Sequence, residues 1–378
     1  MKRYLEEYIQ EDLKQKIVLL SGPRQVGKTI LSMQLTPSNV YLNYDSTSDR
    51  QIIQAEEWAR DVQLVIFDEL HKMKKWKSWI KGVYDTEGNS PSLLVTGSAR
   101  LDTYKKGGES LAGRFFPYRL HPLTVKEICK YLNEKSEIAL DKLIKLGGFP
   151  EPYLKNSETF AKRWRRTHTD TIIREDLLDL ERVRDIKSIE ILIDLLRTRV
   201  GSTTSYTSLA NDLQVSIHTV KHWLQIMENL YIIFPVRPYH KNIARSLLKE
   251  SKYYLYDTGA VEGDLGAKLE NIVACSLLRE LHFIEDTTGS KTALHYLRDK
   301  EKHEVDFLPV IDNRPVKMIE VKVSDDKFSP SLLRFQNFLK DTAPVQIVYN
   351  LKRKKSKGLA NMQPVHEFLR DMRLMDGH

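Results

Sequence analysis

The chain has 378 residues, 41% of them hydrophobic, enough to bury the cores of two or three domains. Its charged first fifteen residues hold no continuous apolar stretch of a signal peptide, and no later apolar run reaches membrane-spanning length, so a cytoplasmic protein without membrane contact is expected. Two distant cysteines, Cys129 and Cys275, exclude a disulfide framework or a zinc site, while a net charge of +8 fits a nucleic-acid partner, DNA in the first instance. Basic runs at KRWRR (162–166) and KRKKSK (352–357) sharpen that reading, though a solvated basic face explains such runs equally simply.

Lys16 to Leu20 form a short apolar run, after which Gly22, Gly27, Lys28 and Thr29 complete the pattern G-x-x-x-x-G-K-T ahead of the periodic apolar residues Ile30, Leu31 and Leu35. Strand, loop and helix start are therefore predicted in that order. Glycines let the loop Gly22-Pro23-Arg24-Gln25-Val26-Gly27-Lys28-Thr29-Ile30 curl so that its N–H groups converge on the phosphates of ATP. Lys28 is expected at the β and γ phosphates and Thr29 on Mg²⁺. A chance glycine-rich turn is the competing explanation.

Leu64 to Phe67 are apolar at every position, which fits a parallel strand covered on both faces. Asp68 then ends the strand where open α/β sheets bind ligands, as a second Mg²⁺ ligand, and Glu69 is placed to polarise the attacking water. The next strand, SLLVTGSAR, ends in Thr96 and Ser98, which either sense the γ-phosphate or make a plain turn. In ESLAGRFFPYRL, Arg114 is expected on the same sheet edge, aimed at the γ-phosphate of an adjacent subunit in a homo-oligomer; Arg119 is its rival, and a surface arginine the simpler alternative.

Residues 146–200 are dense in helix formers and predict a helical connector. Residues 201–245 predict a winged-helix-like unit: two short amphipathic helices across the QVS turn, the second capped by Ser216, followed by the candidate strand YIIFPVRPY. His218, Thr219, Lys221 and His222 would then face phosphates or a major groove, unless the unit only packs between larger domains.

Near the C-terminus, Glu304–Val310 and Lys317–Val323 predict two strands joined by IDNRP. Period-two alternation puts Glu320 and Lys322 on one face, beside Asp306 of the adjacent strand. Two carboxylates and a lysine so placed can bind Mg²⁺, or Mn²⁺, and orient a water for attack on a phosphodiester. Glu270, in KLENIVACSLL, suits a fourth position. Asp306, Glu320 and Lys322 match the D-x(n)-E-x-K arrangement of PD-(D/E)xK nucleases, or else Glu320 and Lys322 form a surface salt bridge unrelated to Asp306.

Taken in order, GPRQVGKT, FDELHKMKKWKSWIKGVYD, LLVTGSARL, SLAGRFFPYRLHPLTVKEI and GGFPEPYL resemble the prokaryotic AAA-type predicted ATPases that carry an AAA_14 module followed by a DUF4143 region. The resemblance implies that Asp68 and Glu69 are the Mg²⁺ and water-activating residues and that Arg114 is the arginine finger. SKYYLYDTGAV, GAKLENIV, EVDFLPV and IEVKVS are similar to the DUF4143 run of motifs, which implies a restriction-endonuclease-like fold; Val305, not proline, precedes the aspartate.

The expected fold is therefore α/β: an AAA-like P-loop NTPase with a parallel sheet and helices on both faces (1–145), a helical connector (146–200), a winged helix (201–245) and a smaller nuclease-like α/β domain (246–378). The expected function is Mg²⁺-dependent ATP hydrolysis coupled to nucleic-acid binding or processing. The alternatives are a nucleotide-dependent switch whose C-terminal domain binds without cleaving, and a regulator that binds DNA through its winged helix.

Overall fold

Ile17–Ser21 (β1) and Leu64–Asp68 (β3) are strands buried at every position, as their unbroken apolar runs require. The computed structural model describes residues 1–98, 111, 113–177, 186–240, 250–324 and 327–375, with backbone alone for 175–177. The helical connector and the winged segment lie partly outside these residues, at 178–185 and 241–249.

The described chain forms two compact units, residues 1–121 with 229–231, and residues 122–228 with 232–378. In the first, β1, Asn39–Asn43 (β2), β3, Ser92–Gly97 (β4) and Phe115–Arg119 (β5) make an all-parallel sheet in the order β2-β3-β4-β1-β5. Its helices are Glu6–Asp12 (α1), Lys28–Gln34 (α2), Thr47–Ala55 (α3) and Trp76–Glu87 (α4). Trp58, Phe67 and Trp79 meet edge to face at 5.2–5.9 Å in the core, contacts worth roughly 0.5–1.5 kcal/mol each beyond their burial.

Parallel register sets the two edges of this sheet. Ser21 aligns with Gly97 and Arg119, and Asp68 with Thr96 and Asn43, so these residues share the carboxyl-terminal edge. Gly22 follows β1 at that edge with φ +150°, and a Cβ there would stand 2.3 Å from the Leu120 carbonyl oxygen. Any side chain would force apart the segments leaving β1 and β5. Gly22→Ala should therefore lower stability by about 1–3 kcal/mol, the usual cost of overpacking. The urea midpoint measures it, and an unchanged midpoint would contradict this close approach.

In the second unit the helices Val125–Tyr131 (α5), Ser136–Leu146 (α6), Pro150–Lys155 (α7), Glu158–Thr171 (α8) and Ile186–Thr198 (α9) precede the pair Tyr206–Leu213 (α10) and Ile217–Asn229 (α11). Strands Thr203–Thr204 (β6), Ile233–Pro238 (β7), Ser251–Leu255 (β8), Thr292–Arg298 (β9), Glu304–Ile311 (β10), Arg314–Pro315 (β11), Lys317–Lys322 (β12), Ala343–Val348 (β13), Lys355–Lys357 (β14) and Ala360–Pro364 (β15) build one mixed sheet. Its order is β14-β15-β13-β12-β10-β9-β7-β8-β6, with β11 paired to β10. The long helix Leu265–Thr288 (α12) packs across β8, β9, β10 and β12, started by the Asp264 side chain and ended by Gly289 in the left-handed region.

These units divide the chain elsewhere than at residues 145, 200 and 245. The first division falls at His121, because α5 and α6 pack on the C-terminal helix Val365–Arg370 (α14), which follows Pro330–Gln336 (α13). The strand after the winged-helix pair is not a separate wing: β7 pairs β8 on one side and runs parallel to β9 on the other, at Arg237↔His295 and Pro238↔Tyr296. An open strand edge gains by pairing, and here that joins the segment to the C-terminal sheet.

Candidate nucleotide site and carboxylate cluster

Gly27, at φ +100°, takes the left-handed turn that opens α2, which a residue with a Cβ adopts poorly. Lys28, only 6% exposed, turns its ammonium back over the loop and donates to the Gly22 and Pro23 carbonyls, each at 2.9 Å. Val26 and Pro23 are buried, Arg24 is half-buried, and Gln25 and Ile30 are exposed. Arg3 secures the loop from outside. Its guanidinium, in a residue 4% exposed, donates to the Val26 carbonyl at 2.8 Å and to the His121 carbonyl at 2.6 Å.

Asp68 is the hub of the site. One carboxylate oxygen accepts from Thr29 Oγ1 at 3.0 Å and from the Tyr41 hydroxyl at 2.6 Å; the other accepts from Thr96 Oγ1 and from the Glu69 N–H at 3.0 Å. Burial, then the hydrogen bond to Asp68, pushes the Tyr41 hydroxyl well above its ordinary pKa, so it stays a donor. Tyr41 escaped the sequence reading, its only signal being a phenol in a strand that pairs with β3. Thr96 and Ser98, expected as phosphate sensors or a turn, both contact the carboxylates here: Thr96 Oγ1 donates to Asp68 and Ser98 Oγ to Glu69 Oε2 at 3.3 Å.

Glu69 itself has φ +55°, an uncommon backbone for a non-glycine residue and one that turns the chain out of β3. His71 Nε2 lies 3.6 Å from Glu69 Oε2. Burial, then the Lys72 and Lys28 charges, lowers the His71 pKa from 6.5 to about 4, so the ring is neutral at pH 7. An unfolded chain takes up this proton near pH 6.5, so the contribution of His71 to stability is complete above 6.5 and is lost as pH falls to about 4. His71→Leu should flatten the stability profile across that window by roughly 3 kcal/mol. Urea midpoints of both proteins at pH 4.5 and 7 test this, and parallel profiles would contradict it.

Arg114 does not lie on the loop's edge of the sheet. It precedes β5, its carbonyl accepts from Ile17 N–H at the start of β1, and its guanidinium pairs with Asp85 of α4 at 2.6 Å. A five-residue strand separates it from the loop, about 16 Å at 3.3 Å per residue. The missed cue was β5 itself: FFPYR pairs parallel to β1 over all five residues, so its two arginine neighbours sit at opposite ends. Arg119, aligned with Ser21, is the one on the loop's edge.

In the second unit β10 and β12 are antiparallel, with Phe307 opposite Ile319, and this brings Asp306 beside Glu320. The Val321 N–H donates to Asp306 Oδ2 at 2.8 Å, and Lys322 Nζ meets Glu320 Oε1 at 2.8 Å. A register shift between Val305 and Leu308 against β9 re-aims the strand at Asp306. Glu320 is 4% exposed, and burial, then the Asp306 charge, raises its pKa to about 7. Glu270 on α12 is likewise raised to about 7 by burial and by Asp306.

Glu270 is not an open fourth position. It accepts from the Tyr254 hydroxyl at 2.6 Å and meets the ammonium of Lys252, a buried lysine of β8 absent from the predicted set. Lys252 also lies 2.7 Å from Glu304 and 3.7 Å from Asp306. Burial opposes its charge, but the Glu270, Asp306 and Glu304 carboxylates together hold it well above the ordinary lysine value. Among the described residues, the grouping whose three ligand atoms lie within 4.8 Å of one another is Asp299, Glu301 and His303, and Arg334 pairs with both of its carboxylates.

Elsewhere in this unit, Ser216 Oγ accepts from the Thr219 N–H at 3.0 Å, the expected cap of α11. His218, Lys221 and His222 are exposed on its first turns.

The glycine-lysine-threonine loop after β1 and the all-parallel sheet give the first unit the fold of P-loop, AAA-type proteins. Residues 14–129 match the family model described as an AAA domain, residues 137–268 a domain of unknown function (DUF8612), and residues 265–368 a domain of unknown function (DUF4143). A segment that matches the AAA domain thus precedes one that matches DUF4143. It is 24% identical over 361 residues to an uncharacterized protein of Methanocaldococcus jannaschii, covering 86% of this chain and 79% of that one. With an uncharacterized protein of Haemophilus influenzae it shares 24% identity over 324 residues, covering 75% and 80%. A solved structure titled as a DNA replication initiation factor is similar at 16% identity and a TM-score of 0.30, covering 59% of this chain and 86% of that one.

Among the described residues, no helix is long and apolar enough to cross a membrane.

Proposed function

We propose that the protein is a Mg²⁺-dependent ATPase whose nucleotide cycle acts on a nucleic acid held by its second unit. The observation that carries the ATPase reading is the convergence of Lys28, Thr29, Asp68 and Glu69 at one sheet edge, with Thr29 Oγ1 3.0 Å from Asp68. Lys28 exchanges the Gly22 and Pro23 carbonyls for phosphate oxygens, and Thr29 and Asp68 hold the ion. Mg²⁺ held by these two residues would supply positive charge against the phosphate oxygens. Glu69, beside a neutral His71, accepts the proton of the attacking water. Arg114, at the opposite sheet edge, serves a neighbouring copy in a homo-oligomer after releasing Asp85; Arg119 is the candidate on the chain's own edge.

The second unit binds the nucleic acid, DNA in the first instance, and Asp306 and Glu320 hold one divalent ion that lowers the pKa of a water for phosphodiester attack. The buried oxygen Glu320 Oε2, which has no hydrogen-bond partner, fits that assignment. The basic run at 352–357 supports the partner class. All three residues of β14 are exposed, and register along β12, β13 and β15 aligns Lys322 with Val348 and Pro364 while Lys355 aligns with Met362. The run therefore lies toward the same sheet end as Lys322, three strand spacings away, about 14 Å.

Replacing Lys352, Arg353, Lys355 and Lys357 by serine should reduce the slope of log affinity against log salt by about 0.9 for each phosphate that the run neutralises. An unchanged slope would remove this run from the interface. ATP hydrolysis and Mg²⁺- or Mn²⁺-dependent nicking, assayed beside Lys28→Ala and Asp306→Ala, test the two chemistries separately.

A further inference from the structure

Glu270, Glu304, Asp306 and Glu320 converge on a site whose cations are unequal. The Lys322 side chain is 39% exposed, and Arg298 meets Glu304 at 3.5 Å while donating to Thr203 Oγ1 at 3.2 Å. Lys252 is different: its side chain is 2% exposed and its ammonium lies 3.2 Å from Glu270, 2.7 Å from Glu304 and 3.7 Å from Asp306. We propose that Lys252 is a resident cation that restricts this cluster to one divalent ion, held by Asp306 and Glu320. This deepens the metal-site reading given above and rests on it.

The oxygens of the cluster divide accordingly. Glu270 Oε1 is taken by Lys252 and by the hydroxyl of fully buried Tyr254, and its Oε2 lies over Gly201, which has no side chain to crowd it. Glu304 Oε1 faces the ammonium and its Oε2 faces Arg298. Glu320 Oε2 has no hydrogen-bond partner, although the residue is 4% exposed. A buried carboxylate oxygen without a donor is costly, and a cation offsets that cost.

A second divalent ion bridging Glu270 and Asp306 would have to share their oxygens with the ammonium at contact distance, where like charges repel strongly in a buried site. Four carboxylates against Lys252, Lys322 and Arg298 leave charge for one divalent ion and not for a second.

Metal stoichiometry tests the assignment without relying on cleavage. The full chain carrying Asp68→Asn, which disables the nucleotide-side cation ligand, is titrated with Mn²⁺ in the absence of nucleotide while the resonance of free Mn²⁺ is followed. The expected result is one ion per chain, still one after Glu270→Gln, and at least tenfold weaker binding after Glu320→Gln. Lys252→Met should take up two.

Two ions in the parent, or loss of the single ion on Glu270→Gln, would overturn the role of Lys252 while leaving a metal site in place. No ion in the parent would remove the metal site itself and this inference with it. Near-ultraviolet circular dichroism checks that Lys252→Met is folded, and if it is not, the two glutamate variants decide.

Discussion

Lys28→Ala should lower ATP turnover by about 100- to 1,000-fold, the usual effect of removing one preorganised electrostatic contact from a transition state. Its ammonium donates to two carbonyls of its own loop, so the change removes positive charge from the turn that the proposed function assigns to the phosphates. Loop shape is held independently, by Gly22 and Gly27 and by Arg3 on the Val26 carbonyl. The folding midpoint should consequently move far less than the rate. Steady-state phosphate release and a thermal melt of the same sample measure both, and a variant that turns over at the parent rate would remove Lys28 from the site.

Lys252→Met should destabilise the protein by about 3–5 kcal/mol, the cost of breaking a buried ion pair by deleting one partner. Methionine fills much of the volume but leaves Glu270, Glu304 and Asp306 without their shared counter-charge. Added Mn²⁺ should recover part of the stability, since an ion that binds only the folded state stabilises it by mass action. Lys322→Ala is the control: its side chain is 39% exposed, and the destabilisation should stay well below that of Lys252→Met, at about 1 kcal/mol or less. Equal urea midpoints for the two variants would mean that Lys252 is not the cluster's counter-ion.

What could be read from the sequence follows the range of the interactions. The phosphate loop is written in eight consecutive residues, Gly22 to Thr29, and the apolar runs of β1 and β3 announce a sheet covered on both faces. Period-two alternation was enough to bring Asp306 toward Glu320, because both lie in one hairpin-like pair. Contacts set by tertiary packing left no such trace.

Tyr41 reaches Asp68 across 27 residues and Arg3 reaches His121 across 118, and neither lies in a motif. Lys252 reads as one residue of a buried strand until β8 is set beside α12 and β10. Arg114 lies at the opposite edge because β5 runs parallel to β1 from Phe115 onward, a pairing that no local pattern announces, and α5 and α6 find their partner in α14, far along the sequence.

The most direct test is a calorimetric titration of the folded full-length chain with ATP and Mg²⁺. One nucleotide should bind per chain, and Lys28→Ala should abolish or severely weaken that binding. Absence of heat with any purine triphosphate, or identical binding by Lys28→Ala, would contradict the assignment of the loop.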